Sequence, residues 1–170
     1  MVLTTTILAG HERSFSPNDV IVTKTNLKGR ITYANQSFPE ISSLTAAQAL
    51  GAPYSVIRHP GMPRCVFKLL WKYLQAGREI FAYVLNRATN GDHYWVLARV
   101  TPSFDGNGKV VGYHSNRRAT KRSTFEQVIR PLYQDVLQIE DRKPDRKIGM
   151  NRAHDVFSAK LQTQQMTYDQ

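Results

Sequence analysis

Asn90-Gly91 constrains this chain more than any other pair of residues. Asparagine followed by glycine readily takes the positive φ angles of a tight hairpin turn. Here the pair lies between Ile80 to Arg87 and His93 to Thr101, two runs rich in β-branched and aromatic residues. These runs must therefore be antiparallel neighbours, and the rest of the chain must build on a sheet that contains them. In His93 to Val100 a period of two sends Tyr94, Val96, Ala98 and Val100 to one face and Trp95, Leu97 and Arg99 to the other. At most one of Tyr94 and Trp95 can line a given layer. The neighbours Asp92 and His93 likewise point apart, which removes them as an acid–base pair.

The flanking segments extend the pattern. Asp19 to Lys24 and Arg30 to Ala34 form a second hairpin around Asn26-Leu27-Lys28-Gly29, and Lys109 to Ser115 follows the turn Asp105-Gly106-Asn107-Gly108 as a further strand. Thr45 caps a short helix through Leu50 that Gly51 ends. Pro63 suits the first position of a helix running to about Gln75, with Gly77 just beyond. Val66, Leu69, Leu70 and Tyr73 form one apolar stripe on it, and Phe67, Trp71 and Leu74 an adjacent one, so the helix packs on the core and has apolar surface left to line a pocket. Beyond Arg118, Phe125, Val128, Ile129, Leu132, Val136 and Ile139 recur at helical spacing to about Glu140, with Pro131 kinking or restarting the helix. Asp141 to Gly149 reads as a charged hinge, and Asn151 to Gln164 as a weaker helix. The order of elements predicts an α+β fold, a five-stranded antiparallel sheet with helices on one face. It divides into a mobile N-terminal cap (1–18), a central domain (19–120) and a C-terminal helical extension (121–170).

Composition narrows the function. The chain has 170 residues and a formal net charge of +10, but the excess is spread: 12 Lys and Arg against 6 Asp and Glu up to Asn116, and 11 against 7 after it. Without a recognition helix or an RNA-binding sheet motif, this reads as a solvated basic surface and not as specific nucleic-acid binding. No window reaches the twenty or so apolar residues of a membrane helix, and Met1 to Gly10 does not have the form of a signal peptide. A cytoplasmic protein without membrane insertion is expected. The single Cys65 excludes an internal disulfide. His11, His59, His93, His114 and His154 show no metal-ligand spacing, and there is no nucleophile elbow or phosphate-cradling glycine loop, so an enzyme is not expected.

Tyr33-Ala34-Asn35, Arg58-His59-Pro60, Met62-Pro63, Phe67, Trp71, Asn86-Arg87, Asn90-Gly91-Asp92-His93-Tyr94-Trp95-Val96, Pro102, Gly112-Tyr113 and Arg117-Arg118-Ala119-Thr120 together resemble a PAS domain. More narrowly, they resemble the FAD-binding sensory PAS domain of bacterial aerotaxis receptors. The similarity runs from about Asp19 to Leu137. It departs at Gly61, where the family usually has an acidic residue, and at Ile80 and Phe81-Ala82, where a tryptophan and a small residue are common.

The resemblance implies a PAS fold with FAD between sheet and helices, its redox state reporting oxygen supply or electron transport. The cofactor-binding residues it implies are Asn35, Arg58, His59, Phe67, Trp71 and Asn86, with Tyr94 and Trp95. Their chemistry is compatible: Arg58 can pair with a pyrophosphate and His59 donate to it, Phe67 and Trp71 offer stacking surface, and the Asn86 amide suits the mixed edge of an isoalloxazine. Read without the resemblance, Phe67 and Trp71 are ordinary core, Arg58 a loop tie, His59 a helix cap and Asn86 a strand contact. A signalling sensor passes its state on, and the Phe125 to Ile139 helix is the surface for a downstream signalling protein or a homodimer. The alternatives are a cofactor-free PAS interaction module and a haem-binding PAS gas sensor using His59 or His114.

Overall fold

The computed structural model describes residues 10–142 and 145–163. Five antiparallel strands form one sheet in the order β2-β1-β5-β4-β3: β1 (Ile21–Asn26), β2 (Ile31–Ala34), β3 (Ile80–Arg87), β4 (His93–Phe104) and β5 (Val110–Ala119). The hairpin at Asn90-Gly91 forms as its residues require, with Gly91 at φ 98° and the Ala88 amide donating to Asp92 O at 2.8 Å. Between β2 and β3 the chain crosses one face of the sheet through α1 (Ser37–Ser42), α2 (Ala46–Ala49), a 3₁₀ turn (Tyr54–Ile57) and α3 (Arg64–Gln75). Thr45 caps α2 in a reciprocal capping box with Gln48.

The apolar core lies between that crossover and the inner face of the sheet, where Phe38, Ile57, Met62, Val66 and Leu74 meet Ile21, Ile80 and Val96, all buried. Edge strand β3 is covered along its open side: Met62 Sδ accepts from the Leu85 amide at 3.4 Å, Tyr133 Oη donates to Tyr83 O at 2.7 Å, and the Arg58 backbone bridges Asn86. An exposed edge invites pairing with another chain, and this one is closed by the chain itself.

After β5 the chain turns onto the outer face of the sheet. Helix α4 (Arg122–Thr124) runs into a π turn (Phe125–Ile129) and then α5 (Arg130–Asp141). The Arg130 amide reaches back five residues to Phe125 O, so the helix widens just before Pro131, whose missing N–H falls in the first turn of α5. Phe125 and Tyr133 pack on Trp95, at ring-centre separations of 4.3 and 6.1 Å. Helix α6 (Arg146–Thr163) folds back along α5 and also meets α3, where Lys68 Nζ donates to Asn151 Oδ1 at 2.8 Å.

Two expectations need correction. The hinge expected over Asp141 to Gly149 is shorter, because Asp145 Oδ1 accepts the amides of Lys147 and Ile148 and starts α6 at Arg146; Gln164 lies outside the described residues. The N-terminal segment is pinned, not mobile, at residues 11–13: the Arg13 amide donates to His93 O, the His93 amide to His11 O, and Arg13 Nε to Asp92 Oδ2 at 2.8 Å. Met1 to Ala9 lie outside the described residues. Among the described residues no helix is long and apolar enough to cross a membrane.

Candidate functional site

Between α3 and the inner face of the sheet lies a cavity of about 270 Å³. One wall is apolar, made by Phe67, Leu70, Trp71 and Leu74 at helical spacing along α3. Facing it are Val84, Ala98 and Val100, which alternate inward on β3 and β4. Strand register explains the opening: Ala98 sits opposite both Arg117 and Ala82, so two small side chains leave room beside a long one. An apolar cavity with aromatic side chains on one wall suits an aromatic ring system.

Its polar lining comes from Tyr54 on the 3₁₀ turn and from Thr23, Asn86, Ser115 and Arg117 on the strands. Asn86, Ser115 and Arg117 are all buried. Arg117 Nη2 donates to Thr23 Oγ1 at 2.9 Å, and its guanidinium lies 4.8 Å from the centre of the Tyr54 ring. Four buried polar atoms in this region have no hydrogen-bond partner: Asn86 Nδ2, Tyr94 Oη, Ser115 Oγ and Arg117 Nη1, while the Tyr54 phenol bonds to the Thr23 side chain. Buried polar groups are nearly always paired, so such a cluster marks a place for a ligand's heteroatoms. Burial pushes the phenols of Tyr54 and Tyr94 above their usual pKa, keeping both as donors.

On the other side of Trp71, which is 39% exposed, a groove of about 650 Å³ between α3 and α6 shares Arg58, Phe67 and Trp71 with the cavity lining. Arg64, Lys68, Lys72 and His154 also line the groove. Arg58 is stacked 4.1 Å above Phe67. Burial lowers its pKa, against the opposing pull of Glu140, while Arg64 and Arg146 lower it further. Glu140 reaches from α5 to the start of α3, where its carboxylate accepts the amides of Arg64 and Cys65 and pairs with Arg64 Nε at 3.1 Å. Burial, and then the same carboxylate, push the Cys65 thiol well above its usual range.

Of the residues expected from the sequence, Arg58, Phe67, Trp71 and Asn86 come together on the cavity lining. Tyr94 is on the same sheet face, opposite Asn86 in register, but does not line the cavity. Three others lie elsewhere. Asn35 clips β1 to the end of β2, its Oδ1 accepting from the Val22 amide at 2.9 Å and its Nδ2 donating to Val20 O at 2.7 Å. His59 Nδ1 accepts the Gly61 amide at 2.9 Å, and the ring meets His93 edge-on at 5.9 Å. Trp95 faces the opposite side of the sheet, as its alternation with Tyr94 requires. The sequence reading missed Tyr54, Thr23, Ser115 and above all Arg117. Inward alternation of Tyr113, Ser115 and Arg117 along β5 was the available signal.

A PAS fold family model matches residues 17–115. The chain is 38% identical over 115 residues to the aerotaxis receptor of Escherichia coli strain K12, an alignment covering 66% of this chain and 22% of the receptor. It therefore spans about a fifth of that relative's length. Among solved structures, the light state of the blue-light photoreceptor Aureochrome1 LOV matches with a TM-score of 0.60 and 18% identity, covering 65% of this chain and 89% of that one. A light-oxygen-voltage domain studied with a flavin analogue matches with a TM-score of 0.58 and 18% identity, covering 68% and 87%. At these identities the two structures show a shared fold.

Proposed function

The chain belongs to the PAS fold family, and from that premise we propose that it is a redox-type sensory domain that holds FAD in the cavity and relays its state through α5. The observation that carries this reading is the set of unpartnered polar atoms in and beside a cavity whose other lining is largely apolar. An isoalloxazine ring is apolar across its faces and carries alternating donors and acceptors along one edge. Phe67, Leu70 and Trp71 would cover a face, and Asn86, Ser115, Tyr54 and Arg117 would meet the edge. The basic groove beyond Trp71 favours FAD over a bare ring, since Arg58, Lys68 and Lys72 complement a pyrophosphate. A flavin supplies reversible electron uptake when bound; the residues here bind it, orient it and exclude water.

The similarity to an aerotaxis receptor supports a signalling role of the energy-taxis kind. For the relay, Phe67 and Trp71 share α3 with the amides that Glu140 of α5 accepts, so a ligand that moves α3 acts directly on the helix leading to the C-terminal extension. A downstream signalling protein or a second copy of the chain receives that movement. The purified protein is expected to show a flavin absorbance spectrum, either as isolated or after incubation with FAD. Arg58→Ala should lose the dinucleotide, by about tenfold or more in affinity, while leaving the sheet folded by circular dichroism. A Soret band, or a folded colourless protein that takes up no flavin, overturns the reading.

A further inference from the structure

Arg117 presents a charge problem that the fold does not solve. It is 3% exposed, and no carboxylate of the described residues lies within 4.0 Å of it. Its protein partners are the Thr23 hydroxyl and the face of Tyr54, both neutral. Its Nη1 has no hydrogen-bond partner at all, and the side chain lines the cavity. A guanidinium carries a fixed positive charge. Burying one without a counter-charge is costly, and proteins keep such an arrangement where a ligand completes it.

We propose that Arg117 gives the cavity a preference for the negatively charged, reduced form of its ring ligand. The inference rests on the flavin reading. Two-electron reduction with uptake of one proton leaves one negative charge on an isoalloxazine, the electrons coming from an external reductant. That charge is delocalised over the nitrogen and carbonyl edge of the ring, the part suited to the orphaned donors. An apolar slot alone would disfavour the charged form; a guanidinium in the slot reverses the preference. Arg117 thus tunes the ligand, while Asn86 and Ser115 orient it.

The test is the midpoint potential of bound FAD, measured by dithionite reduction against a reference dye, in the wild type, Arg117→Lys and Arg117→Met. Arg117→Met is expected to shift the potential negative by about 30 mV for each tenfold of lost preference, with at least tenfold lost, and Arg117→Lys to recover most of it. Apo Arg117→Met should melt at a higher temperature than the apo wild type, because an unmatched buried charge has gone. A purely structural arginine predicts the reverse. Should the methionine variant not fold, Arg117→Gln, which retains a donor for Thr23, carries the same comparison. A wild type that binds flavin while the Met or Gln variant keeps its potential overturns this inference and leaves the flavin reading standing. A wild type that takes up no flavin overturns both.

Discussion

Asn35 and Asn86 are the same side chain in two employments. Asn35 spends its donor and its acceptor on the backbone of the segment entering β1, whereas Asn86 keeps its amide donor free beside a cavity. Asn35→Ala should therefore lower stability by about 1–3 kcal/mol in urea denaturation, with flavin uptake unchanged. The difference was not legible in the sequence, where both are strand-end asparagines, because it depends on which neighbours reach each amide. Arg117 was hidden for a different reason. A strand ended at Ser115 leaves Arg117 in a run of surface charge; the observed β5 continues to Ala119 and turns it inward. His59 carries a pH signature. Burial, then His93 and Arg87, lower its pKa, and burial, then Lys68 and Lys72, lower that of His154 despite Asp155. The folded state thus binds fewer protons than the unfolded chain, whose histidines titrate near about 6.5. The stability these rings contribute is full above that pH and falls as pH drops through it toward the folded values. Urea midpoints measured across this window should decline on acidification, and His59→Gln with His154→Gln should flatten the decline.

Elements with strong local signals were legible in the sequence: the two hairpins, α3 and its apolar stripes. The C-terminal region was less so, since α6 has little amphipathic pattern of its own and is held by tertiary contacts. Gly149 shows the reason. A Cβ at this position would collide with the backbone carbonyl of Glu140, so α6 crosses the end of α5 closely enough to require glycine. That crossing lies beside the Glu140 carboxylate that holds the start of α3. Gly149→Ala is expected to cost about 1–3 kcal/mol and to loosen α5 and α6 together, seen as faster amide exchange in both helices while the sheet keeps its protection.

At the scale of the molecule, one sheet separates two layers with different tasks. The inner face, with α3, holds the cavity; the outer face, with α5, holds Trp95. The division at residue 120 read from the sequence cuts through contacts of both layers, because Glu140 joins α5 to α3 and Tyr133 bonds the β3 edge. Fold class was readable because strand periodicity is local; the far layer was not, because nothing in the sequence says which sheet face a later helix will cover. The two layers contain one tryptophan each, and the chain has only two. Their indole N–H signals in a ¹⁵N-correlated NMR spectrum, followed while apo protein is titrated with FAD, therefore test directly where the ring binds. A large shift of the Trp71 signal with Trp95 unmoved is the predicted result, and no shift at Trp71, or a shift confined to Trp95, would contradict it.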